Sequence, residues 1–282
     1  MTSTLTIGGD LTVKRLGFGA MRLTGKGVWG PPDDRDECIR VLHRAAELGV
    51  DFIDTANSYG PYVSEELIRE ALHPYDGVVV ATKAGLLRTG PDQWPVLGFP
   101  AYLRQECEMS LRRLGVDTID LFQLHRIDDK FPLEDQIGEL VALQSEGKIR
   151  HIGLSEVNAD QLDAARAITA IASVQNMYNL TARTAESVLE ACEADAIAFI
   201  PWFPLAAGPL AAADGPLQRI AADHHATPSQ LALAWLLKRS PVMVPIPGTS
   251  KVAHLEENVA AAKIELTEAE LDTLSKAGAA EG

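Results

Sequence analysis

The sequence predicts an α/β fold, a (β/α)8 TIM barrel with an N-terminal β-hairpin plug and an extra C-terminal helix, on three observations. Short apolar runs alternate with longer amphipathic stretches almost to the end of the chain. Glycines stand where helices should hand over to strands. The first barrel strand ends in Gly17-Phe18-Gly19-Ala20-Met21, without the third glycine of the GxGxxG turn that usually marks a doubly wound dinucleotide fold.

Thr4–Ile7 and Leu11–Val13, separated by Gly8-Gly9-Asp10, read as the hairpin. Eight strands follow, at Arg15–Gly19, Asp51–Thr55, Val78–Thr82, Ile119–His125, Ile149–Ser155, Ala172–Gln175, Ile197–Trp202 and Val242–Pro247. Between and after them lie helices at Asp33–Leu48, Ser64–Leu72, Ala101–Leu114, Leu133–Glu146, Asp160–Ile168, Thr184–Glu193, Thr227–Lys238 and Val252–Ala261. Thr227-Pro228-Ser229-Gln230 joins an N-cap, a first-position proline and a glutamine that closes a capping box. Thr267 and Glu270 repeat the box and open the final helix. Gly49, Gly115 and Gly147 end helices as left-handed caps.

The 282 residues, 46% hydrophobic and 23% charged, suffice for one barrel domain spanning 1–282. A net charge of −14 repels nucleic acid and anionic lipid, which leaves a small molecule as the expected partner. Cys38, Cys107 and Cys192 form no CxxC and read as buried thiols of a reducing, cytoplasmic protein. No secretory signal is visible. The uncharged run Ala196–Ala213 is broken by Pro201, Pro204, Gly208 and Pro209, so it reads as a buried strand entering a loop, not as a membrane helix. His224 and His225 read as solvent-facing, with no metal site. The chain is expected to be a monomer.

In such barrels, chemistry gathers at the C-terminal strand ends. Asp54 ends Phe52-Ile53-Asp54, Tyr59 lies in the loop beyond it, Lys83 follows Val78–Thr82, and His125 follows Leu121–Leu124. A phenol near pKa ~10 needs a neighbouring cation to give up its proton readily. Lys83 can supply that cation, Asp54 can hold Lys83 protonated, and a neutral His125 can orient a carbonyl oxygen. The set suits carbonyl reduction once a hydride source is added.

The segments FIDTANSYG (52–60), ATKAG (81–85) and QLHRID (123–128) resemble the tetrad motifs of the aldo-keto reductase superfamily. The resemblance implies Tyr59 as general acid/base, Lys83 as the residue that lowers its pKa, Asp54 as support for Lys83, and His125 as substrate orienter. It also implies NADPH/NADP+ bound without a Rossmann fold. Carried over by position, Gly19, Ala20, Met21 and Asp54 lie along the cofactor. Ser155 and Gln175 meet the carboxamide; Glu156 stands where relatives carry Asn, with Asn158 as a substitute ligand. Trp202 stacks on the nicotinamide, followed by Phe203, Pro204, Leu205 and Gly208. Gly248, Thr249, Ser250 and Lys251 receive the 2′-phosphate at a helix start, and Glu257 and Asn258 meet adenine. His254 replaces an arginine, which leaves NADH possible.

RLGFGAMRLTGKGVWGPPDDRDE (15–37), FIPWFPLAAG (199–208) and PIPGTSKVAHLEEN (245–258) are similar to the bacterial pyridoxal reductase-like group, which implies pyridoxal as a substrate. Trp29, Tyr62, Trp94 and Phe99, the last two in the long loop Leu86–Pro100, are expected to wall the substrate pocket together with Tyr59 and His125. The alternatives are an oxidative alcohol (pyridoxine-type) dehydrogenase and a cofactor-binding, redox-sensing regulatory subunit.

Overall fold

The computed structural model describes residues 3–205 and 215–281. The antiparallel strands β1 (Thr4–Ile7) and β2 (Leu11–Lys14) pair Thr4 with Lys14 and Ile7 with Leu11. Their alternation turns Ile7, Leu11 and Val13 onto Phe52, Ala81, Leu121, Ala198 and Val244, so the hairpin packs against the barrel's interior residues as a plug.

Among the described residues, seven parallel strands follow in sequence order: β3 (Phe18–Gly19), β4 (Phe52–Asp54), β5 (Val79–Ala84), β6 (Ile119–Leu124), β7 (Ile149–Ser155), β8 (Ser173–Gln175) and β9 (Ala198–Phe199). The expected eighth strand, Val242–Pro247, is not one. Pro245 and Pro247 have no N–H to give, so a regular ladder cannot run through them. The segment nevertheless closes the barrel. Phe199 N donates to Val242 O at 2.9 Å and Val244 N to Phe199 O at 2.8 Å; across the seam, Gly17 N donates to Pro245 O at 3.0 Å and Gly19 N to Pro247 O at 3.3 Å.

The outer layer contains α1 (Arg35–Glu47), α2 (Val63–Leu72), α3 (Pro100–Leu114), α4 (Leu133–Ser145), α5 (Ala159–Arg166), α6 (Glu186–Ala194), α7 (Pro216–Asp223), α8 (Pro228–Arg239), α9 (Val252–Ala260) and α10 (Glu268–Glu281). Their apolar faces share one core with the outward side chains of the strands, such as Phe18, Ile53, Phe122, Ile152 and Phe199. Thr227 and Gln230 form the capping box of α8, and Thr267 and Glu270 exchange the same bonds at α10. Gly49, Gly115 and Gly147 take φ of 80°, 74° and 76°. Helix α7, absent from the sequence reading, is a short added helix that begins with Pro216 at its first turn.

All three cysteines are buried thiols, and burial pushes Cys107 and Cys192 up to about 12. The expectation of two solvent-facing histidines is half corrected: His224 Nε2 lies 2.8 Å from Glu270 Oε1 on α10, whereas His225 is exposed. Among the described residues, no helix is long and apolar enough to cross a membrane, and no cluster of three or more His, Cys, Asp or Glu could hold a metal.

Candidate active site

Three of the four predicted catalytic side chains meet through one buried ion pair. Asp54, at the end of β4, accepts from Lys83 Nζ at 2.5 Å through Oδ1. Its Oδ2 accepts from Gln123 Nε2 at 3.0 Å and Gln175 Nε2 at 2.8 Å. Lys83 also donates to Thr55 O at 2.8 Å and stands 3.5 Å from Tyr59 Oη. Every one of these side chains is buried. A buried charge is tolerated only when it is paired and hydrogen-bonded, and here both oxygens of the carboxylate are used.

Strand register builds this layer. Lys83 pairs with Gln123, Gln123 with Gly153, and Gly153 with Ser173. A Cβ on Gly153 would run into Ser173 Oγ and come within 2.8 Å of Gln123 Cγ, so the glycine leaves room for the Gln123 amide. Gln123 had no role in the sequence reading. Its signal was an amide inside the apolar run Leu121–Leu124.

Tyr59 comes from the β4–α2 loop, tied to β5 by Thr55 N to Ala81 O at 2.8 Å and Asn57 N to Lys83 O at 3.1 Å. Its ring lies edge-on to His125 (centroids 6.0 Å apart) and to Trp94 (6.4 Å), with Lys83 Nζ 5.2 Å from its centre. Burial raises the phenol pKa more than Lys83 lowers it. Burial works against the Lys83 ammonium too, but Asp54 and Tyr59 outweigh it and its pKa is raised. His125, just past β6, lies 3.5 Å through Nδ1 from Ser58 Oγ. Burial first, then the charges of Lys83 and Arg126, drive it well below its ordinary value, so it is a neutral imidazole. The arrangement holds an un-ionised phenol beside an ammonium and a neutral hydrogen-bonding ring, which suits proton donation to an oxygen at the barrel mouth.

The neighbouring residues divide. Ser155 Oγ and Gln175 end adjacent strands, with Ser155 accepting from Arg126 Nη1 at 3.1 Å. Glu156 takes a left-handed φ of 55°, and its Oε1 accepts from Trp202 Nε1 and Met177 N, both at 2.6 Å. Asn158 stands at the start of α5. Its side-chain Oδ1 accepts from Gln161 N in the capping box of α5, a role the sequence reading did not give it. Phe203 is exposed and Pro204 and Leu205 follow it, while Gly208 lies outside the described residues.

Gly19 and Gly248 are in close backbone contact: a Cβ on Gly248 would lie 2.5 Å from Gly19 O. Ala20 and Met21 lie in the turn that follows. Thr249, Ser250 and Lys251 lead into α9, with Thr249 Oγ1 accepting from Lys251 N at 3.1 Å. Asn258 is buried; His254 and Glu257 are exposed on the same helix.

Trp29 and Trp94 flank Arg88 beside Tyr59. Phe99 packs on Phe131 in a tilted arrangement with centroids 5.5 Å apart. Tyr62 has a φ of 71°, and its ring lies against α3, with the Arg113 guanidinium 4.1 Å from its centre in a cation–π contact.

A closed parallel barrel with a buried carboxylate, ammonium, phenol and imidazole at its C-terminal mouth defines a barrel oxidoreductase. The chain belongs to the aldo/keto reductase family, whose model matches residues 15–279. It is 55% identical over 273 residues to an uncharacterized oxidoreductase of Schizosaccharomyces pombe, covering 97% of this chain and 89% of that one. It is 44% identical to pyridoxine 4-dehydrogenase of Escherichia coli, covering 97% of each. A crystal structure of an aldo-keto reductase from Klebsiella pneumoniae in complex with NADPH superimposes with a TM-score of 0.83 at 28% identity, covering 98% of this chain and 95% of that one.

Proposed function

We propose that the protein reduces an aldehyde or ketone to an alcohol with NADPH, Tyr59 giving the proton. The observation that carries this reading is Lys83 Nζ standing 2.5 Å from Asp54 Oδ1 and 3.5 Å from Tyr59 Oη. The ammonium stabilises negative charge as it develops on the phenol oxygen, and Asp54 keeps that ammonium charged. His125, neutral and buried, donates a hydrogen bond that aims the carbonyl oxygen at Tyr59.

The residues present suit the dinucleotide. The Trp202 indole, fixed by Glu156, offers a flat face, and Thr249, Ser250 and Lys251 gather hydroxyls and an ammonium at the start of α9, where a phosphate is favoured. When bound, the cofactor supplies the hydride. Ser155 and Gln175, side by side at their strand ends, would hold its carboxamide.

The substrate favoured is pyridoxal. The relative named pyridoxine 4-dehydrogenase supports this, and it also favours a second reading, oxidation of the matching alcohol, because the same proton path runs backwards. The test is Tyr59→Phe assayed with NADPH and pyridoxal. Aldehyde-dependent NADPH oxidation should vanish while NADPH binding persists; retained turnover would remove Tyr59 from the chemistry. NADP+ with pyridoxine measures the reverse direction.

A further inference from the structure

We propose that Arg88 is the positioning residue of the substrate pocket: its guanidinium ties three loops into a wall formed before substrate arrives. This rests on the reading of the barrel mouth as the carbonyl site. Arg88 Nε donates to Gln93 O at 2.9 Å. Nη1 donates to Val28 O at 2.5 Å and Ser58 O at 2.9 Å. Nη2 donates to Gly27 O at 2.8 Å and Gly90 O at 3.3 Å. These carbonyls belong to the loop before α1, the Tyr59 loop and the long loop after β5, segments far apart in sequence.

The negative ends of five carbonyl dipoles thus converge on one point. Without the cation they repel one another, and Ser58 O and Gln93 O lose their donor, whereas Val28 O, Gly27 O and Gly90 O keep Gly60 N, Asp92 N and Gln93 N. A guanidinium has five N–H donors in a planar fork, and all five are used here; a lysine ammonium has three and cannot replace it. Among the described residues no carboxylate forms an ion pair with Arg88. Its charge serves the carbonyls.

Two further observations agree. Val28 holds a φ of 51°, a left-handed conformation costly for a β-branched residue, and its carbonyl is one that Arg88 grips. The flat faces of the guanidinium also carry the wall's aromatic rings, with Trp94 centred 3.6 Å and Trp29 5.6 Å from Cζ. Trp94 in turn packs edge-on against Tyr59. One side chain therefore sets the distance between two wall residues and the phenol, whereas Tyr59 Oη is held separately by Lys83.

The test compares wild type, Arg88→Met and Arg88→Lys. For Arg88→Met, the aldehyde KM should rise about tenfold or more while kcat falls less than about threefold, because binding surface is lost and the proton path is kept. NADPH affinity should be unchanged, and Arg88→Lys should lie between, keeping the result readable if the methionine variant fails to fold. Without cofactor or substrate, chymotrypsin should cut after Trp29, in the loop that Arg88 grips through Gly27 and Val28, faster in both variants than in wild type. An unchanged aldehyde KM, a kcat loss that exceeds the KM rise, or equal cutting in all three proteins would overturn the proposal. Should wild type reduce no aldehyde at all, the reaction reading falls, and the cutting rates alone decide whether Arg88 ties the loops.

Discussion

Trp202 Nε1 donates to Glu156 Oε1 at 2.6 Å, so Glu156 anchors the indole proposed to face the nicotinamide. The same oxygen accepts from Met177 N, which fixes the carboxylate as well as the ring. Glu156→Ala should weaken NADPH binding about tenfold, the cost of a hydrogen bond to a charged group, whereas Glu156→Gln keeps an acceptor and should stay within about threefold. In a double-mutant cycle, Trp202→Phe should add little to Glu156→Ala, because the N–H it removes has already lost its partner. Cofactor titrations by fluorescence measure all of these; fully additive losses would show that the two residues act apart.

Lys83 and Asp54 separate stability from activity. Lys83→Met leaves a buried carboxylate with amide donors only, and should cost about 3–5 kcal/mol in urea unfolding. Adding Asp54→Asn removes the orphaned charge and should restore much of that stability. Reduction should remain lost in both, since neither holds an ammonium at Tyr59. A double variant as unstable as Lys83→Met would mean that packing, not charge, dominates the site.

The barrel, and the meeting of Asp54, Lys83, Tyr59 and His125 at its mouth, were legible because each is written locally. Asp54, Lys83 and His125 directly follow apolar runs, and strand ends are where barrels carry polar side chains. What the sequence did not reveal depends on convergence. Arg88 meets carbonyls from two distant loops as well as its own, and the Tyr62 ring lies against Arg113 on another helix. Other departures had signals that went unread. Asn158 and Gln161 have capping-box spacing, and that box takes the carboxamide. Pro245 and Pro247 break the donor pattern of the expected eighth strand, which still seals the barrel through its carbonyls.

His125 gives the pH dependence a definite sign. Its folded pKa lies well below the ordinary histidine value, so between the two values the unfolded chain binds a proton that the folded chain refuses. The resulting term favours folding above the unfolded value near ~6.5 and is lost as pH falls below it. Between pH 7.5 and 5, wild type should lose about 1–2 kcal/mol more stability than His125→Gln. Tyr59 and Lys83 are both shifted upwards, so the reductive rate should show no break in the neutral range. A kcat titration near ~6.5 would mean that His125 is not buried as a neutral ring.

Glu37 sits at the end of α9 where the 2′-phosphate is expected. Its Oε1 accepts from Val252 N at 3.1 Å, and Arg40 Nη2 lies 2.7 Å from its Oε2. The Val252 bond, then Arg40, hold the carboxyl below its usual range, so it is charged at neutral pH. A helix start that already carries one anion welcomes a second less well. Glu37→Gln keeps an acceptor for Val252 N and removes only the charge. NADPH affinity should therefore rise about threefold at low salt, NADH affinity should stay constant, and the gain should shrink as salt screens the carboxylate. Equal shifts for both cofactors would place the phosphate away from Glu37.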